Sequence, residues 1–146
     1  MRALLDVNVW IALIDTAHPH HELAQHWFGE YFDGFASCPI VHNGVLKILA
    51  NPSYDSGDDG QFSYPMLFNL YQTSLSNIDH EFWPDNISLL DSKHFNHDTI
   101  HSHKQLTDIY LLALAVAHQG CLVTFDRHIA LSHAVGASKK NLIVLK

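Results

Sequence analysis

The chain is short of long apolar runs, cysteine and positive charge, and each shortage excludes something. No apolar stretch in its 146 residues reaches the roughly 20 that a membrane-spanning helix needs, so no membrane partner is expected. The first residues show no basic segment, extended apolar core or small-residue cleavage site, so the expected location is cytoplasmic. Only Cys38 and Cys121 are present. Each lies in or beside an apolar run without metal-type spacing, and they read as reduced core thiols. Eight Lys and Arg stand against 15 Asp and Glu, a formal charge of −7. That excludes the broad basic face by which many proteins hold nucleic acid, and it allows an acidic metal site or a basic protein partner. Thirteen histidines titrate near neutrality and make the surface charge pH-dependent. Linkers, repeats and low-complexity blocks are also missing.

What is present reads as one domain, 1–146, with 47% hydrophobic residues, long enough to bury a core. A short apolar run, Ala3-Leu4-Leu5, ends on Asp6 and reads as a buried strand feeding a helix over 9–14. A helix over 20–32 carries Leu23, Trp27 and Tyr31 at i, i+4, i+8. Residues 35–38 make an inner strand closed by Pro39, and 41–49 a helix stopped by Asn51-Pro52. The segment 53–60 is the most loop-like. A helix over 64–77, a turn at 83–85 and a third strand over 87–90 follow. The stretch 91–105 is polar and histidine-rich, with weak helix or loop expected. Thr107-Asp108 opens a core helix over 109–118, ended by Gly120. A strand over 121–124 runs into Phe125-Asp126-Arg127, with a short helix over 129–134 and a last strand over 142–145. Alternating short apolar strands and helices predict an α/β domain with one parallel sheet covered on both faces.

Ligands bind such sheets at the carboxyl ends of the strands, where the strand order reverses. Asp6 ends the first strand, Asp126 follows the 121–124 strand, and Asp108 lies in the first turn of the helix leading to it. Each has a bland reading alone. Asp6 caps the helix after it, Asp108 complements a helix dipole with Thr107 as N-cap, and Asp126 is a turn residue. Together, at matching ends, they read as one crevice. Clustered carboxylates raise one another's pKa, and an oxygen-rich acidic cluster suits Mg²⁺ or Mn²⁺. Such an ion activates water or clamps the oxygens of a phosphodiester.

Three motifs carry a resemblance: Leu4-Leu5-Asp6-Val7-Asn8, Thr107-Asp108-Ile109-Tyr110-Leu111-Leu112-Ala113-Leu114-Ala115, and Leu122-Val123-Thr124-Phe125-Asp126-Arg127. With Cys38-Pro39-Ile40 and Asn43-Gly44, they make the chain resemble, over essentially its full length, the PIN-domain ribonucleases, and most closely the VapC-type toxins of toxin–antitoxin modules. The resemblance implies a three-layer α/β/α domain with a short, mostly parallel sheet. It also implies a Mg²⁺- or Mn²⁺-dependent endoribonuclease that hydrolyses RNA by a metal-activated water, is usually dimeric, and is held inactive by a cognate VapB-like antitoxin. Asp6, Asp108 and Asp126 match the family's metal-site acids, and Asn8 and Thr124 its supporting polar residues. The family's remaining acid, usually a Glu on the helix after the second strand, falls at His42. His42 would ligate metal when neutral, contact phosphate when protonated, or do neither.

Arg127 and His128 are placed for phosphate contact, though Arg127 could equally pair with an acid. His103 and Lys104 could line an RNA entrance. His18 and His21, and His94, His97, His101 and His103, have spacings that invite zinc but lie in loop-prone sequence, where a solvated surface fits better. Trp10, Trp27, Phe28 and Tyr31 exceed what one small core needs and are expected to form in part a dimer or antitoxin face. Two other readings remain. One is a PIN scaffold that binds a partner and cuts RNA weakly or not at all. The other is a haloacid-dehalogenase-like phosphohydrolase, which would need a second acid where the chain has Asn8.

Overall fold

The computed structural model describes residues 1–55 and 62–146, so the expected 53–60 loop lies outside the described residues from 56 onward. The strands are β1 (Ala3–Leu5), β2 (Phe35–Ser37), β3 (His80–Phe82), β4 (Cys121–Thr124) and β5 (Leu142–Val144). The helices are α1 (Val7–Ile14), α2 (His21–Glu30), α3 (Pro39–Leu49), α4 (Tyr64–Ser76) and α5 (Leu106–Ala117). The strands form one sheet in the order β3-β2-β1-β4-β5, and every pairing is parallel. Every residue of β1, β2 and β4 is buried. Side chains alternate across a strand, so unbroken burial means that both faces of the sheet are covered. Helix α1 packs against both α2 and α3, and α3 against α4, while α5 packs on β1 and β4. The chain is thus a parallel α/β domain with helices on both sides of the sheet, as expected from the sequence.

The strand order places the site. From β1 the chain winds outward through β2 to β3, then returns across α5 to β4 on the other side of β1. The β1–β4 seam is therefore the point where the order reverses. Leu5 pairs with Val123 across it, and the Asp6 amide continues the ladder onto the Val123 carbonyl at 2.9 Å. Beneath the seam lies α5, whose residues Ile109, Tyr110, Leu111, Leu112, Ala113, Leu114 and Ala115 are all buried. Each fully buried Leu or Ile contributes about 1.5–3 kcal/mol, so the floor of the seam is fixed by hydrophobic packing.

Several elements differ from expectation. The third strand is His80–Phe82, not 87–90, where Leu90 is 89% exposed. An edge strand pairs through its backbone and needs no apolar run, so the segment right after α4 takes β2's free edge. Helix α5 starts at Leu106 with Gln105 as N-cap and no side-chain cap bond, so Thr107 does not cap it. The three-residue 3₁₀ turn before it, His103–Gln105, is capped by the Ser102 hydroxyl. The left-handed residue ending α5 is Gln119, φ 57°, not Gly120. Gly120 is needed for space: an added Cβ would sit 2.5 Å from the Arg2 carbonyl oxygen. The 129–134 helix shrinks to a 3₁₀ turn, Leu131–His133. The surplus aromatics are mostly used at home, where Phe28 stacks on Phe35 at 4.2 Å and Trp27 on Tyr31 at 4.8 Å.

Gly44 sets how closely α3 approaches α1, because a Cβ there would lie 2.7 Å from Val7 Cγ2. Val7 is β-branched and cannot swing aside. We expect Gly44→Ala to destabilise the protein, since overpacking costs about 1–3 kcal/mol against a helix-propensity gain of about 1 kcal/mol. In a Val7→Ala background the clash is gone, and Gly44→Ala should become stabilising. Denaturant unfolding of the four variants reads this reversal of sign, and a Gly44→Ala effect independent of residue 7 would show that the contact does not limit the approach.

Candidate active site at the ends of β1 and β4

Asp6 is the residue at which β1 becomes α1, and its carboxylate serves both. One oxygen accepts from the Val7 amide at 2.7 Å and so caps α1. The other accepts from the Thr124 hydroxyl at 2.8 Å, in a buried bond across the seam. The same Thr124 oxygen accepts from the Asp126 amide at 3.0 Å, so one hydroxyl ties the second acid to the first. Asp126 accepts in turn from the His128 amide at 2.8 Å, a local turn that holds its carboxylate in place. The capping and turn readings of Asp6 and Asp126 are thus true, and they orient the two acids toward one place.

Asp108 completes the group from below. Burial, then the charges of Asp6 and Asp126, push its carboxyl up to about 7, and Asp126 is close enough to share a hydrogen bond with it. Burial also raises Asp6, against the lowering effect of the Thr124 and Val7 hydrogen bonds. A cleft of about 490 Å³ opens at this point, lined by Asp6, Asn8, Asn43, Lys47, Thr107 and Asp108 among others.

The PIN-domain family profile matches residues 3–133 of this chain. Ribonuclease VapC44 of Mycobacterium tuberculosis is 46% identical over 146 residues, 99% of this chain and all of that protein. The chain belongs to the PIN-domain family, among the VapC ribonucleases. Ribonuclease VapC39 of the same organism is 39% identical over 141 residues, 93% of this chain and 96% of its own length. The fold also matches a solved structure, VapBC2 from Rickettsia felis bound to a DNA fragment from its promoter, at TM-score 0.54 and 13% identity, covering 88% of this chain and 90% of that one. Family membership removes the haloacid-dehalogenase reading, and Asn8 is indeed no second acid.

Of the three roles left open for His42 in this PIN domain, its contacts favour the third, neither metal nor phosphate. Its side chain turns away from the acids, and its Nε2 lies 2.6 Å from the Ser37 hydroxyl, which is itself 2.6 Å from His80 Nε2. The ring packs edge-on against Tyr71 and lines a separate groove with Leu46 and Phe68. Burial, then the nearby His80, lowers its pKa, which favours the neutral ring. The residues of α3 that bring polar side chains to the cleft are Asn43 and Lys47. They are i, i+4 neighbours beside Gly44, and that spacing was the available signal for them in the sequence.

The remaining candidates sit at the rim. Asn8 is exposed on the first turn of α1, and Arg127 and His128 are exposed just past Asp126. Arg127 forms no ion pair among the described residues. His103 and Lys104 are exposed on the turn that leads into α5. Among the described residues no three His, Cys, Asp or Glu side chains close into a ready-made metal cage, the histidine-rich 91–105 stretch included. No helix of the described residues is long and apolar enough to cross a membrane.

Two outcomes follow. Asp108 and Asp6 bind protons more tightly folded than unfolded, so their contribution to stability is full below the ordinary carboxylate range and is lost as pH rises, for Asp108 through about 7. The ion-free protein should therefore melt lower at pH 8 than at pH 5.5, and Asp108→Asn should raise the melting temperature at pH 8 by a few degrees and flatten the profile. An Asp108→Asn protein that melts lower at pH 8 than the parent would show that the carboxylate is not under repulsion. His42→Gln, which can still bond Ser37, should leave Mn²⁺ affinity unchanged in calorimetry; a weakened affinity would return residue 42 to the site.

Proposed function

We propose that the chain is a Mg²⁺- or Mn²⁺-dependent endoribonuclease that hydrolyses RNA phosphodiester bonds and acts as the toxin of a toxin–antitoxin pair. The observation that carries this reading is Asp108, raised to about 7 by burial and by Asp6 and Asp126. Three acids so disposed gain from a divalent cation placed among them. The donor set fits such an ion, because it is all oxygen and hard. A closed cage is not required, since Mg²⁺ keeps several waters and binds through only one or two carboxylates. Asp6, Asp108 and Asp126 would hold the ion, which when bound supplies activation of water and neutralisation of charge at the phosphate.

The chain's own groups set the rest. Thr124 keeps the Asp6 carboxylate aimed while holding the Asp126 backbone. The Val7 and His128 amides each take one oxygen of Asp6 and Asp126, and the second Asp6 oxygen accepts from Thr124, so an ion at Asp6 would use a lone pair that these bonds leave free. Asp108, raised to about 7, would give up its proton when an ion is held there. Arg127 and His128 on one rim, with His103 and Lys104 before α5, are offered as contacts to RNA phosphates. Asn8 lines the mouth of the cleft. The protein partners we propose are a VapB-like antitoxin and a second copy of the chain. The uncharged helix α4, with Tyr64, Met66, Phe68 and Leu70 exposed, supports a protein-covered surface. The absence of an acid on the cleft side of α3 favours, as a second reading, a scaffold that binds partners and cuts RNA weakly.

Incubating total RNA with the purified protein separates the two. We expect cleavage with Mg²⁺ or Mn²⁺, none with EDTA, and none with Asp6→Asn. Thr124→Val, which spares the ligands but frees Asp6, should lose roughly 10- to 100-fold. Cleavage that persists in EDTA and in Asp6→Asn would remove the metal-nuclease reading, and a parent that never cuts would leave the scaffold.

A further inference from the structure

An acidic cleft that must receive a polyanion needs a cation on its wall, and here one residue supplies it. Lys47 lies one helical turn after Asn43 on α3, and both line the cleft opposite Asp6 and Asp108. It is the only Lys or Arg among the cleft's described lining residues. Its ammonium pairs with no carboxylate among the described residues, although acids line the same space. By contrast Arg2, at the other end of the strands, is engaged by Asp79 at 3.0 Å and Glu81 at 3.3 Å. The close approach of α3 to α1, permitted by Gly44 against Val7, is what carries Lys47 over the cleft.

We propose that Lys47 is the phosphate-binding residue of the cleft, taking an RNA phosphate on the α3 side while the acids act from the β1 and β4 side. The inference rests on the ribonuclease reading and adds a residue to it. Lys47 donates to a non-bridging phosphate oxygen as a mobile point charge, and Asn43, one turn earlier, has an amide that donates to the same anion. The ordinary alternative is a lysine in the last turn of α3 that only offsets the helix dipole. The two differ in what the side chain does to RNA and to metal.

The experiment measures binding of a labelled single-stranded RNA in EDTA, where nothing is cut, at several salt concentrations. Lys47→Ala should weaken binding about tenfold, as for loss of a charge-assisted hydrogen bond. It should also lower the salt slope by about 0.7, the value for one phosphate contact on a single strand. Lys47→Arg should restore both. Lys140→Ala, at the opposite ends of the strands beside Met1 and Gln119, should behave as the parent. Mn²⁺ affinity of the RNA-free protein should rise in Lys47→Ala, because a cation leaves the neighbourhood of the acids. If the parent binds and cuts RNA while Lys47→Ala matches its affinity and salt slope, and only its melting temperature falls, the dipole role is correct and the assignment is overturned. If the parent neither binds nor cuts RNA, the ribonuclease reading fails, and the assignment with it.

Discussion

The hydrogen bond from Thr124 to Asp6 joins the two strand ends on which the rest of the site depends. It is buried, it crosses the seam where the sheet reverses, and its donor oxygen also receives the Asp126 amide. Without it, Asp6 would carry a desolvated oxygen with no partner, at a cost of about 1–3 kcal/mol or more. With it, two carboxylates are held in a fixed relation while α5 brings the third beneath them. The fold accepts the repulsion because the floor is a helix buried along seven consecutive residues. Hydrophobic packing positions the acids, and acids so placed would favour a cation.

The same arrangement explains why the capping and functional readings of Asp6 and Asp126 do not compete. A carboxylate has two oxygens, and in each acid one is used by the backbone. Capping therefore fixes the orientation of a group whose remaining capacity faces the cleft. For Asp108 no such backbone partner is found among the described residues, and its elevated pKa follows from burial beside two like charges. This is the asymmetry expected of the acid that a bound ion would change most.

Much of this was legible in the chain. Burial on both faces leaves continuous apolar runs, so β1 and β4 could be read directly, and a carboxylate just past each run marks a strand end. What could not be read were features set by tertiary contact. Edge strand β3 has no apolar signature because its pairing is through the backbone and its side chains are half in solvent. Which face of α3 residue 42 takes was left open by the sequence. One residue is a rotation of about 100° on a helix, enough to take His42 from the cleft to Ser37 and Tyr71 and to leave Asn43 and Lys47 facing the acids. Gly44 allows α3 to approach Val7 closely. It was visible in the sequence, but its partner was not.

The central claim is that the crevice between β1 and β4 holds three acids whose mutual repulsion is relieved by a divalent ion. The most direct measurement is the number of protons released when Mn²⁺ binds, obtained from calorimetry near pH 6.5 in buffers of different ionisation enthalpy. With Asp108 raised to about 7, the parent should release a large fraction of a proton on binding, and Asp108→Asn should release almost none. Binding without proton release in the parent, or equal release in the variant, would contradict the account.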